Sequence, residues 1–215
     1  MAATRPAPFS HTLSTLDELI AVHGEPTDVI RSKVIDRLDQ HCQAFIARSP
    51  FMLLATTGAD GRCDVSPRGG PAGFVEVLDE RRLVFADAKG NQLADSLRNV
   101  VATGRAGLLF LIPGLGETLR VNGRAWVTRD PQILARHVVQ EGRPPSLAIG
   151  VEVEEAFLHC AKALIRSQLW DAQNRPSLEG MARPAQVWKD HIALESIPLE
   201  AIEELVETGY RDELY

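Results

Sequence analysis

The stretch Phe51-Met52-Leu53-Leu54-Ala55-Thr56-Thr57, then Gly58-Ala59-Asp60-Gly61, then Arg62-Cys63-Asp64-Val65-Ser66 decides how this chain is read. A compact apolar run, a turn rich in Gly and Asp, and a second short run are the signature of two strands joined by a hairpin. Pro67-Arg68-Gly69-Gly70-Pro71-Ala72-Gly73 is dense in breakers and reads as a loop. Phe74 to Leu78 and Arg82 to Ala86 flank a short turn at Asp79-Glu80-Arg81, which predicts two more strands. The four together predict a meander joined by tight turns.

Downstream, Asn91 to Val101 reads as a helix with Leu93, Leu97, Val100 and Val101 facing inward. Ala106 to Leu111 and Thr118 to Val127 are two further strands joined through Pro113-Gly114-Leu115-Gly116. Asp130-Pro131 places an N-cap before a proline at the first helical position, so Pro131 to Val139 is predicted helical. Leu147 to Val153 is a seventh strand. Glu155 to Trp170 fits one helix, or a helix followed by a strand. Helices are expected over Pro184 to His191 and Pro198 to Thr208.

Upstream, Met1 to Ser10 is a loose Ala- and Pro-rich tail. Thr15-Leu16-Asp17-Glu18 has the spacing of a capping box and opens a short helix that His23-Gly24-Glu25-Pro26 breaks. Thr27 and Asp28 can cap a longer helix, with Ile30, Val34, Leu38, Phe45 and Ile46 on one face, stopped by Ser49-Pro50. The pattern predicts a mainly β, α+β fold: a six- to seven-stranded antiparallel barrel with helices at its ends. Three regions are expected: a helical arm over 1–48, the barrel over 49–170, and a helical extension over 171–215 that packs on the same domain.

Composition narrows the function. The chain has 215 residues, 45% apolar and 24% charged, which is ordinary globular usage and excludes disorder. Its 23 Lys+Arg against 29 Asp+Glu give a net charge of −6, so no basic footprint for a nucleic acid exists over the chain as a whole. Cys42, Cys63 and Cys160 are far apart and form no CxxC pair, which indicates neither a zinc knuckle nor a disulfide framework. With no apolar h-region near Met1 and no window long enough to span a membrane, a cytoplasmic protein is expected.

The usual catalytic signatures are missing: no P-loop, no H-E-x-x-H, no G-x-S-x-G, and a glycine run at Gly69 to Gly73 that Pro71 keeps from being a dinucleotide fingerprint. The six His show no ligand spacing, so no metal site is expected. What remains suits a phosphate. Ser66-Pro67-Arg68-Gly69 offers a hydroxyl, a guanidinium fork and free backbone, against the ordinary reading of Arg68 as a surface side chain in a turn. Asp87-Ala88-Lys89-Gly90-Asn91 leads from a strand to a helix start, where unpaired N–H groups attract anions. On spacing alone it is equally an ordinary polar loop with Asn91 as N-cap. Strict alternation would put Thr118, Arg120, Asn122 and Arg124 on one face, and the sequence favours solvent there. Arg166 and Trp170 share a side whether the segment is helix or strand, and a cation beside an indole can clamp a planar anion. Trp170 is otherwise a core or interface anchor. Cys160 reads as a small buried residue.

These residues have an order that resembles a known family. Ser49-Pro50-Phe51, Leu54-Ala55-Thr56, Asp64 to Gly69, Gly90-Asn91 with Asp95 to Asn99, Gly107 to Gly114 and Glu117 to Gly123 together resemble the pyridoxamine 5′-phosphate oxidase-like, FMN-binding split β-barrel family. His159-Cys160-Ala161-Lys162-Ala163 through Leu169-Trp170 is similar to the C-terminal signature of one uncharacterised subgroup. The resemblance implies a homodimer with two FMN sites at the subunit interface and a small-molecule substrate. It implies cofactor contacts from Ser66, Pro67 and Arg68 on the strand beside the flavin, and from Phe85 and Ala86 under the ring. It further implies Lys89 as the phosphate lysine with Asn91 in the same loop, Thr118 where the oxidases have a Gln, and Arg120 on the same strand. Arg166 and Trp170 would arrive from the second subunit. Ala88 stands where the oxidases often have a second basic residue, and the oxidases' C-terminal Arg and His pattern has no match, which puts pyridoxamine phosphate itself in doubt as substrate. Three classes follow: an FMN-dependent oxidoreductase, a flavin-binding protein without turnover, and a deazaflavin or haem user of the same fold, with His159 the nearest axial candidate.

Overall fold

The computed structural model describes residues 9–88, 93–137, 145–192 and 196–212. The chain divides into two compact units, Met1–Val34 and Ile35–Tyr215. The first holds α1 (Leu16–His23) and α2 (Asp28–Ser32). Thr15 accepts from the Glu18 N–H and the Glu18 side chain answers the Thr15 backbone, so the capping box read from sequence forms. Neither helix buries a residue.

The second unit begins where a single long helix was expected. That helix does not form: Thr27 caps only the five residues of α2, and a new helix, α3 (Gln40–Ile46), starts at Asp39. Between them Ile35 exchanges two backbone hydrogen bonds with Ala156, and the Leu38 N–H donates to the Glu80 carbonyl. The helical spacing of Val34 and Leu38 was coincidental, because main-chain pairing with the sheet takes this segment instead.

Seven strands form one antiparallel sheet among the described residues: β1 (Phe51–Thr57), β2 (Cys63–Gly69), β3 (Val75–Asp79), β4 (Arg82–Ala86), β5 (Arg105–Leu111), β6 (Thr118–Thr128) and β7 (Ala148–His159). Their order is β2-β1-β5-β6-β7-β4-β3. The expected meander is therefore two separate hairpins at opposite edges, since β2 and β3 never pair. The sheet is not closed by a seventh ladder, as a split barrel requires. It curls nonetheless: Arg68 on β2 reaches Asp87 just past β4, so the first strand and the far hairpin meet.

Two other boundaries differ from the sequence reading. β2 runs on through Pro67 and Arg68 to Gly69, because an edge strand tolerates a proline that a central strand would not. Glu155 to His159 continues β7 as strand, and only then does α6 (Lys162–Ser167) begin. Ladder bonds to β6 from Thr118 to Asn122 hold that extension. Cys160 thus lies in the turn beyond the strand and is exposed, not buried.

The core is the inner face of the curled sheet. Met52, Leu54, Leu83, Phe85, Leu108, Phe110, Leu119, Val121 and Ile149 alternate inward, and α3 adds Ile46. Each large side chain removed from water contributes about 1.5–3 kcal/mol before entropy is counted. Ser49 pins the entry to β1, its hydroxyl shared between the Phe51 and Leu111 carbonyls at 2.8 and 2.7 Å. α4 (Asp95–Thr103) lies over β1 and β2 and buries Ser96 and Val100, with Leu97 packed on the core. Leu93 and Val101, expected inward, are exposed, because the helix starts later than the pattern implied and turns them away. α5 (Pro131–Leu134) is capped by Asp130, and α7 (Pro184–Ile192) and α8 (Leu199–Asp212) pack on each other through Ala185, Ile202 and Val206.

Candidate functional site

Because 63–69 is strand, Asp64, Ser66 and Arg68 share one face of β2, at alternate positions. That face looks onto the start of α4 and the end of β4. Asp64 accepts from Ser96 Oγ at 2.7 Å and from Thr56 Oγ1 at 3.4 Å, and Asn99 Nδ2 donates to Thr56 Oγ1 at 3.0 Å. Ser66 and Ser96 hydroxyls lie 2.9 Å apart. Ser96 has a single proton, and the Asp64 carboxylate takes it, so Ser66 must be the donor to Ser96. Ser66 is left with lone pairs to offer, and any group it recognises has to bring the hydrogen.

Arg68 Nη1 donates to Asp87 Oδ1 at 2.7 Å, with the two side chains 19% and 20% exposed. Its Nε–H is buried and has no partner among the described residues. A buried guanidinium N–H without an acceptor is costly unless a ligand completes it. Beside it α4 opens without a side-chain cap: Ala94 is in the left-handed region at φ 56°, a placement costing a non-glycine residue about 1 kcal/mol. The first-turn N–H groups of α4 therefore lack the cap a Ser, Thr or Asp would provide, and they carry the positive end of the helix dipole.

The other expected residues distribute as follows. Pro67 points to the opposite, exposed face of β2, and Ala86 is half-buried at the end of β4. Phe85 is wholly buried in the core, main chain included, on a strand paired on both sides. Lys89 and Asn91 lie outside the described residues. Thr118 is buried at the start of β6, opposite His159. Arg120 is on the outer face as alternation predicted, but not free in solvent: it pairs with Glu155 at 3.2 Å and sits 4.1 Å over the Phe157 ring. Arg124 pairs with Glu152 at 2.7 Å on the same face.

Arg166 and Trp170 are not a helical pair. α6 ends at Ser167, Gln168 adopts φ 50°, and the chain folds back so that Trp170 Nε1 donates to the Leu115 carbonyl at 2.8 Å. Trp170 instead lines a shallow cavity of about 320 Å³ with Gly116, Glu117, Leu164 and Gln168, and Arg166 is exposed on α6 without lining it. The structure thus joins Ser66 and Arg68 in one polar strip and puts Trp170 beside the β5–β6 loop. β1 and β5 separate β2 from β6 in the sheet. Sequence reasoning missed Asp64, Asp87 and Ser96. The signal was present in the alternation Asp64, Ser66, Arg68, which the breaker-rich reading of Pro67 to Gly73 concealed.

Among the described residues no three His, Cys, Asp or Glu gather as a metal site, and no helix is long and apolar enough to cross a membrane. Residues 38–160 match the family model described as pyridoxamine 5′-phosphate oxidase. No curated protein sequence matches the chain. Among solved structures it is similar to HupZ of Group A Streptococcus, at 15% identity over 56% of this chain and 92% of that one, with a TM-score of 0.47. It is similar to HutZ, described as the haem storage protein of Vibrio cholerae, at 17% identity over 58% and 94%, TM-score 0.42. It is also similar to General Stress Protein 26 of Bacillus anthracis, at 12% identity over 54% and 88%, TM-score 0.38.

Proposed function

The chain belongs to the pyridoxamine 5′-phosphate oxidase family, and from that premise we propose that it binds FMN and serves as an FMN-dependent oxidoreductase acting on a small molecule, with the flavin held at a homodimer interface. The observation that carries the reading is Arg68, whose buried Nε–H has no acceptor among the described residues and which shares a face of β2 with Ser66, itself bonded to Ser96 in the uncapped first turn of α4. A phosphate monoester supplies what both lack: oxygens for the guanidinium and for the first-turn N–H groups. The family resemblance adds Lys89 and Asn91, which stand in the sequence between Asp87 and α4.

The remaining residues take roles that follow from their hydrogen bonds. Ser66 accepts from a ligand N–H or hydroxyl, because its own proton is committed to Ser96. Asp64, Thr56 and Asn99 hold Ser96 and so fix that polarity. Arg120, braced by Glu155 and Phe157, presents a rigid cationic surface on the outer face of β6. FMN, when bound, supplies the electron and hydride chemistry, and the protein supplies position and electrostatics.

The test is an absorption spectrum of the purified protein after FMN loading and desalting, with Arg68→Ala beside it. Retained flavin bands near ~375 and ~450 nm that are lost in Arg68→Ala support the reading. A wild-type protein that keeps no FMN overturns it.

A further inference from the structure

We propose that Asp87 sets the anion selectivity of the Arg68 site. It holds the guanidinium as a neutral pair that admits a phosphate only when the phosphate arrives on a larger ligand. The inference rests on Arg68 being an anion contact, but not on that anion being the phosphate of FMN.

The pair is close and sheltered: Arg68 Nη1 to Asp87 Oδ1 is 2.7 Å, with both side chains about one-fifth exposed. Asp87 is fixed at its main chain, its N–H donating to the Leu147 carbonyl at 2.9 Å, which holds its Cα beside Arg68. Arg68 Nε is fully buried and without a partner among the described residues. An anion accepting from Nε–H shares one guanidinium with the Asp87 carboxylate, and acceptors on Nη1 and on Nε lie on the order of 6 Å apart. At that separation, with water partly excluded, like charges repel appreciably.

The other carboxylates nearby do not relieve this. Asp64 is occupied by Ser96 and Thr56, and Asp95 adds a negative charge in the first turn of α4. Among the described residues, a free phosphate dianion has only the guanidinium and the helix start to offset the repulsion. A phosphate ester brings contacts from the rest of its ligand, so it binds where the free ion does not. Selectivity of this kind comes from a built-in unfavourable contact that only the intended ligand outweighs.

The discriminating substitution is Asp87→Asn, which keeps the hydrogen bond to Arg68 and removes the charge. Asp87→Glu keeps the charge. Inorganic phosphate is titrated into wild type and both variants by NMR, following the arginine Nε–H signals. FMN and riboflavin are titrated in parallel by fluorescence quenching at low and high salt. Asp87→Asn is expected to bind phosphate roughly tenfold tighter than wild type. Asp87→Glu stays within about twofold. FMN affinity in Asp87→Asn becomes more salt-dependent while riboflavin affinity is unchanged, a pattern that lost structure would not produce. Phosphate affinity unchanged or weakened in Asp87→Asn overturns the proposal and leaves Asp87 as a mere support for Arg68. So does an absence of phosphate binding in every form. Tighter phosphate binding without FMN binding in any form upholds the selectivity and removes the flavin reading instead.

Discussion

At the scale of single residues, side-chain type was legible and partnership was not. Arg68 reads as a candidate anion contact from its guanidinium alone, but nothing in the sequence places Asp87 against it, because that contact joins an edge strand to the far hairpin of a curled sheet. The charge-assisted contact expected from Arg68 is worth about 1.5–3 kcal/mol. Arg68→Ala should therefore weaken FMN binding on the order of 10- to 100-fold in a fluorescence titration, and equal affinities would remove Arg68 from the site. The cysteines show the same limit. Cys160 read as buried only while the end of β7 was unknown; it and Cys63 are exposed, and Cys42 is buried. Burial, reinforced by the Asp39 carboxylate, pushes the Cys42 thiol up to about 11. At pH 8 about one Cys42 in a thousand is then thiolate. A thiol reagent should label two cysteines rapidly in the folded protein and the third only after denaturation. Rapid labelling of all three would contradict the placement of Cys42.

At the scale of elements, local signals succeeded where local forces decide. The capping box at Thr15, the Asp130-Pro131 start and most strands were legible for that reason. They failed where a distant partner decides: Ile35 pairing with Ala156 cut the expected helix, and β6 drew Glu155 to His159 into strand. The replacement start for α3 is Asp39, whose carboxylate accepts from the His41 and Cys42 N–H groups at 3.0 and 2.9 Å. Those bonds, the Cys42 N–H foremost, hold its pKa below the ordinary 3.8. A depressed carboxylate stabilises above its unfolded pKa and loses that stabilisation as pH falls through the folded value. Asp39→Ala should cost about 1 kcal/mol near neutrality, and the gap from wild type should close in melts taken below about pH 4. A gap that persists in acid would assign the cost to something other than the charged cap. A second prediction sits where β6 crosses β7 at a register shift beside Gly123. A Cβ there would lie 2.0 Å from the Glu152 carbonyl oxygen, which is backbone and has nowhere to go. Gly123→Ala should destabilise by about 3 kcal/mol, the upper end of ordinary overpacking. A melt within a degree of wild type would mean the two strands separate more easily than this packing allows.

At the scale of the whole molecule, fold class was legible and strand order was not. Seven short antiparallel strands follow from alternation, but alternation says nothing about which hairpin lies beside which, and the two edge hairpins look alike in sequence. The order matters because it leaves a particular outer face. On β1 and β5, Leu53 is registered with Leu109 and Phe51 with Leu111, and Val65 on β2 extends the row. Phe51 and Val65 are 36% and 61% exposed, and Leu53, Leu109 and Leu111 are only half-covered. A contiguous apolar row on a sheet face is unusual in a monomer, and the homodimer proposed above gives it a partner of the same chemistry. A stable dimer needs about 800 Å² from each subunit, and the row is flanked by the ion-paired Arg105, Arg120 and Arg124. Leu109→Lys puts a charge at the centre of the row while leaving the inward neighbours Leu108 and Phe110 in place. Light scattering behind size exclusion should give wild type at twice the chain mass of 23.6 kDa and Leu109→Lys at that mass itself. If the flavin site is shared between subunits, the variant should also lose FMN. A monomeric variant that keeps FMN at wild-type affinity would separate the two proposals, leaving the dimer and confining the cofactor to one chain. A wild-type monomer would leave the apolar row without a second copy to cover it.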